Sequence, residues 1–251
     1  VALCVREGPV RLRAGKIEAG VDELVLASTV RATTVEAHGG ALRVSTVEHV
    51  FSALAGLGIY SDVMIVVDGP ELPLLDGGAA AWCEAIATLC VAPRKPFLRV
   101  MREWVVDVGP SRYELTPGDC VEVEARIVIE DARVAAEAHW AGDASDYRAR
   151  IAPARTFAVA ANLEELARRG LARQVDPTSV VVLAPDAIHH SGRPFSSDEP
   201  ARHKLLDLIG DLYLHGGPPI GRVRAVRPGH SANAQFIRRA IHAGAITRLR
   251  P

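Results

Sequence analysis

The chain opens with short runs of alternating apolar and polar residues. VALCV, PVRLRA, DELVLASTV and ALRVS, broken by glycines and charged pairs, predict strands and turns through residue 45. At Thr46 the period changes. Val47, Val50, Phe51 and Leu54 recur at helical spacing and Gly58 ends the run, so TVEHVFSALAGL predicts a helix over 46–57 capped by Ser45 or Thr46. DVMIVV (62–67) predicts a strand, DGPELPLLDGG a loop, and AAAWCEAIATL a helix over 79–89. VAPRKP (91–96), with two prolines, is a candidate linker. Beyond it lie predicted strands around 98–108 and 120–129 and a helix over NLEELARR (162–169). A helix over 199–214, a strand over 221–226, the loop PGH and a closing helix over 232–243 follow. The order helix, strand, loop, helix thus occurs twice, with His49 and then His203 on the first helix. This predicts an α+β fold built from a duplicated unit, with domains over 1–93 and 97–251. If the units pack face to face, the two histidines meet between them, where ligand sites commonly form.

Composition narrows the function. Of 251 residues, 29 are basic and 30 acidic, a formal charge of −1, so no basic field is present to hold nucleic acid. A local excess near the end (Arg222, Arg224, Arg227, Arg238, Arg239, Arg248, Arg250) reads as a solvated face in preference to a phosphate contact. Cys4, Cys83, Cys90 and Cys120 form no paired motif, which fits a reducing cytoplasm; Cys83 and Cys90, seven apart in a helical pattern, read as core. No apolar run approaches the ~18 residues of a membrane span, and no signal-peptide pattern is seen. Nothing points to an obligate protein partner.

On the second helix, His203, Asp207 and Asp211 are spaced by four and project along one face. The first two can chelate one ion, leaving Asp211 to support neighbouring groups. Two imidazoles, one carboxylate and an open position are a recipe for catalytic zinc. His49 is the best third ligand, because the adjacent Glu48 can take a proton from a water. Each feature alone is weak. A His and Asp at i, i+4 usually form a surface pair, Lys204 reads as an exposed lysine, His189 and His190 as loop surface, and His230 as part of a helix cap.

Their joint order is more specific: STVEHVFSALAGLGI (45–59), PELPLLDGGAA (70–80), ARTF (154–157), DEPARHKLLDLIGDL (198–212) and GHSANAQ (229–235). In these the chain resembles the UDP-3-O-acyl-N-acetylglucosamine deacetylases of lipid A synthesis, over nearly its whole length. The resemblance implies two similar domains, each a sheet packed on helices, with a zinc ion between them. It makes His49, His203 and Asp207 the metal ligands and Glu48 the general base. It implies that His230 stabilises developing charge and protonates the leaving amine, oriented by Asp211. Lys204 and Thr156 match residues that contact the substrate or the oxyanion, and Phe157 one that packs near the sugar. The implied reaction is hydrolysis of a linear amide on a small N-acyl amino-sugar; iron(II) suits the same ligands.

The departures fall on substrate-holding parts. Cys4 stands where the resemblance leads one to expect histidine, the stretch between Leu12 and Thr29 is short, Ala158 replaces a glycine and Asn162 an acidic residue. ARQVDPTS (172–179) replaces a glycine-rich segment of the acyl passage. Burying Arg173 or Asp176 unpaired there would be costly, so the passage is expected to be altered or absent. A deacylase of the same chemistry on another N-acyl sugar or small amide is therefore the alternative. A non-catalytic metal-binding protein is disfavoured, because the metal ligands, base and acid are all present.

Overall fold

The computed structural model describes residues 1–160 and 176–249. The first half contains β1 (Ala2–Pro9), β2 (Arg11–Ala14), β3 (Ile17–Gly20), β4 (Val25–Ser28), β5 (Thr34–Ala37) and β6 (Leu42–Val44). These are followed by helix α1 (Glu48–Gly56), β7 (Ser61–Val67) and α2 (Ala80–Ala87). The second half contains β8 (Leu98–Val100), β9 (Trp104–Val108), β10 (Ser111–Thr116), β11 (Val121–Arg126), β12 (Glu137–Trp140), β13 (Thr156–Val159), β14 (Val180–Leu183) and β15 (Ile188–His189). Helix α3 (Glu199–Tyr213), β16 (Gly221–Val226), α4 (His230–His242) and β17 (Ile246–Arg248) complete it. The fold is mixed α+β, as the alternation of periods predicts.

The main sheets run β1-β7-β2-β3 and β12-β11-β16-β10-β9. Substituting β10, β16, β11 and β12 for β1, β7, β2 and β3 reproduces the same order. In both, the strand after the long histidine-bearing helix, α1 or α3, pairs parallel with the second strand of the unit, β2 with β7 and β11 with β16. Small sheets interrupt each half at the same place, just before its long histidine-bearing helix: β4-β5-β6 before α1, and β13-β14-β15 before α3.

Helices α1 and α3 carry the site and pack directly on each other. Every residue of α1 is buried, including Glu48 and His49. Close approach is possible because Gly210 faces the α1 backbone: a Cβ there would lie 2.0 Å from the Glu48 carbonyl oxygen. The contact presses the start of α1 against α3 one turn beyond Asp207.

Several boundaries differ from expectation. Neither Ser45 nor Thr46 caps α1. Thr46 sits at φ 61° with its hydroxyl donating to Glu71, Ser45 bonds Thr34, and Val47 occupies the cap position with no side-chain bond. The stretch before the helix is thus tied sideways to residues 70–72, through Ser45 N–H to Pro70 and Leu72 N–H to Ser45. Cys83 is in the core as expected, but Cys90 is exposed, three residues past the end of α2 at φ 54°. The closing helix starts at His230, two residues early, because extended Gly229 lets it begin there. The expected helix over 162–169 lies outside the described residues. Arg222 and Arg224 lie on one sheet face and both grip Glu124, at 2.7 and 2.8 Å, so that part of the basic excess is neutralised in place.

Candidate metal centre

His49, in the first turn of α1, and His203 and Asp207, one turn apart on α3, each offer a ligand atom, and these atoms lie within 4.8 Å of one another. All three residues are buried. His203 Nε2 is 3.4 Å and His49 Nε2 3.9 Å from Asp207 Oδ1, and the imidazoles meet edge to face with centroids 5.2 Å apart. Tetrahedral zinc with bonds of about 2.0–2.1 Å sets ligand atoms roughly 3.4 Å apart, so the spacing fits such an ion after small adjustments. The donor chemistry fits too. Burial and the neighbouring His203 push the His49 pKa down to about 3, and burial lowers that of His203, leaving neutral imidazoles with lone pairs to offer. Burial opposes the Asp207 charge, but His203, Lys204 and His230 outweigh it and hold the pKa well below the carboxylate range. Lys204 Nζ donates to Asp207 Oδ2 at 2.7 Å, so Lys204 is a partner of Asp207 and not a free surface lysine. Buried His49 Nδ1 has no hydrogen-bond partner among the described residues.

A second cluster adjoins it. Thr33 N–H donates to Glu48 Oε2 at 3.0 Å, and the Thr33 hydroxyl donates to Asp211 Oδ1 at 2.5 Å. Asp211 Oδ2 accepts from Asn233 at 2.7 Å and lies 2.9 Å from His230 Nδ1. Burial raises the Glu48 pKa to about 7, against the opposing pull of His230. Burial works against a charged His230, yet Asp211 outweighs it and lifts the pKa to about 10. Near neutral pH Glu48 is therefore close to its pKa and in its ionised form can accept a proton, beside an imidazolium able to give one.

Both clusters open into a basin of about 1630 Å³. Thr156 and Phe157 line it, with the Phe157 ring centroid 6.4 Å from that of His203 and Lys204 Nζ 5.9 Å from the ring. His189 and His190 are exposed, as expected, but lie on the same basin wall. Val159, Val180, Val182, Pro177 and Leu72–Leu75 give that wall an apolar stretch. Asp176 is exposed and bonded to Thr178, so its charge is not buried unpaired. Residues 172–175 of the substituted segment lie outside the described residues. Cys4 is exposed on β1 and is not among the basin-lining residues.

The model of the LpxC family, UDP-3-O-acyl N-acetylglycosamine deacetylase, matches residues 8–242. The chain belongs to this family. The UDP-3-O-acyl-N-acetylglucosamine deacetylase of Shewanella frigidimarina (strain NCIMB 400) is 32% identical over 251 residues, covering 95% of this chain and 82% of that protein. That of Myxococcus xanthus (strain DK1622) is 35% identical over 220 residues, covering 85% and 68%. As a member of the LpxC family the chain is a deacetylase-family enzyme, and its buried His-His-Asp cluster is the candidate site for the family's zinc. Sequence reasoning missed Thr33 and Asn233. Thr33 lies in RATTVEA, which reads only as strand and turn, and Asn233 lies within GHSANAQ with no spacing to mark it.

Proposed function

We propose that the chain hydrolyses the N-acetyl amide of a UDP-3-O-acyl-glucosamine, with His49, His203 and Asp207 holding zinc. The observation that carries this reading is the convergence of three buried ligand atoms beside a proton-accepting carboxylate and an imidazolium. Bound there, zinc would supply Lewis-acid polarisation of the amide carbonyl and acidify a water. Glu48 takes a proton from the attacking water, its carboxylate fixed by the Thr33 N–H. Lys204 and Thr156, on the basin wall, provide donors for charge developing on the carbonyl oxygen. His230, held by Asp211, gives its proton to the departing amine, so water and amide become acetate and free amine. Phe157 offers an apolar face to the sugar, and the wall of Val159, Val180 and Val182 suits an acyl chain.

The repeated strand order supports the division into a first domain over 1–93 and a second over 97–251, with the site where α1 meets α3. A second reading, a deacylase acting on another N-acyl sugar, is favoured by the substitution of ARQVDPTS at 172–179. One assay separates them. Acetate release from UDP-3-O-acyl-N-acetylglucosamine with about one zinc per chain is the expected result; His203→Ala should lose both metal and turnover. Bound zinc with no acetate release would favour the second reading, and wild type without zinc would remove the metal assignment.

Asp211→Asn removes the charge that keeps His230 protonated. We expect kcat to fall about 10–100-fold while KM stays within about threefold. An unchanged kcat would leave Asp211 with a structural role only.

A further inference from the structure

His203 is oriented from outside its own helix. Its Nδ1 lies 3.0 Å from the Ala154 carbonyl oxygen, while its Nε2 faces Asp207 Oδ1. A metal-binding imidazole is neutral and carries one proton, and a carbonyl can only accept. That contact therefore places the proton on Nδ1 and turns the Nε2 lone pair toward the ligand cluster.

The carbonyl can do this only if Ala154 is itself fixed. The next residue, Arg155, is 1% exposed and grips Glu199 as a fork. Arg155 Nε and Nη2 donate to Oε1 and Oε2 at 2.8 and 3.0 Å, and the Arg155 main-chain N–H adds a third bond to Oε1 at 3.0 Å. Glu199 stands one turn ahead of His203 on α3. The segment carrying the carbonyl and the imidazole that it orients are thus clamped to a single helix. Arg155 Nη1 also reaches the Ser191 carbonyl at 2.8 Å, tying in the segment that follows β15 and bears His190. Behind Ala154 the backbone of the first half closes in. Ala79 N–H donates to the Ala152 carbonyl and Thr156 N–H to that of Gly77, both at 2.7 Å.

We propose that the Arg155–Glu199 pair is a positioning device for His203: it holds the Ala154 carbonyl on Nδ1 and so keeps Nε2 as the metal-facing nitrogen. This rests on the metal assignment above. Neither residue belongs to the ligand cluster, and both act through the backbone. A lysine in place of Arg155 keeps the charge but lacks the planar fork that bonds both carboxylate oxygens while reaching Ser191.

The test measures zinc affinity by chelator competition for wild type, Arg155→Lys and Glu199→Gln, at a temperature where circular dichroism reports each as folded. Imidazole ¹⁵N shifts are recorded on the metal-free wild type. We expect His203 to be protonated on Nδ1 in the metal-free protein and zinc binding to weaken about 10–100-fold in Arg155→Lys. Unchanged zinc affinity alongside a lower melting temperature would overturn the proposal, leaving the pair a purely structural bond. A wild-type His203 protonated on Nε2 would overturn it whether or not either variant folds. Failure of wild type to bind zinc at all would instead remove the metal assignment, and the tautomer would still report on the carbonyl contact.

Discussion

Glu48→Gln should keep its zinc and lose about 10²–10⁴-fold in kcat. Glutamine has the shape of glutamate and can still accept the Thr33 N–H, so the packing of α1 on α3 is undisturbed. The amide cannot take a proton from water. Because Glu48 is one residue from His49 but is not among the three ligand residues, metal content separates loss of the base from loss of the site. In wild type, burial raises the Glu48 pKa toward about 7 while a bound cation would favour the charged form, so activity should rise with pH as the carboxylate forms, at or below that value. The variant should lack this limb. Near-wild-type turnover in Glu48→Gln, at full zinc occupancy, would remove Glu48 as the base and leave the Thr33 contact as a packing bond.

The largest loss of stability is expected from Glu199→Gln. It leaves Arg155 a buried cation among carbonyls, with its carboxylate partner gone. Breaking a buried pair from one side costs about 3–5 kcal/mol, because the remaining charge stays desolvated. Urea unfolding at neutral pH should show this as a lower midpoint. The pH dependence provides a check of sign. Burial opposes the Glu199 charge, but the Arg155 hydrogen bonds outweigh it, so the pKa lies below its ordinary 4.5. A depressed carboxylate contributes stability fully above its unfolded value, and that stability is lost as pH falls through the folded value. Wild type and variant should therefore converge in acid. A gap under about 1 kcal/mol at neutral pH, the size of a surface pair, would contradict this account.

Much of the site is legible in the sequence, because helix geometry fixes it locally. His203 and Asp207 at i, i+4 must share a face, and Glu48 beside His49 must share a turn. The strand in 221–226 and the long helix of the second half carry strong periods and fall where expected. The small sheets were not legible as sheets. β13 and β14 are four-residue strands that pair parallel across a long connection, and their partners cannot be read from their own residues. Cys90 misled for a related reason: helical spacing continued past Leu89, but the helix had already ended at Ala87.

Asp211 shows the division most clearly. Its place on the ligand face of α3 followed from counting by four, but its partners did not. Thr33 is 178 residues away along the chain, and His230 and Asn233 lie on the next helix. The sequence by itself determined the helices, their ligand-bearing faces, the repeated α+β order and, through its motifs, the family. Only the tertiary structure decided that α1 and α3 meet at Gly210, that Thr33 joins the base to Asp211, and that Ala154 holds His203. The physical reason is range. Helical periodicity acts within a few residues, whereas the desolvation that tunes Glu48 and the carbonyl that orients His203 come from segments brought together only when the core closes.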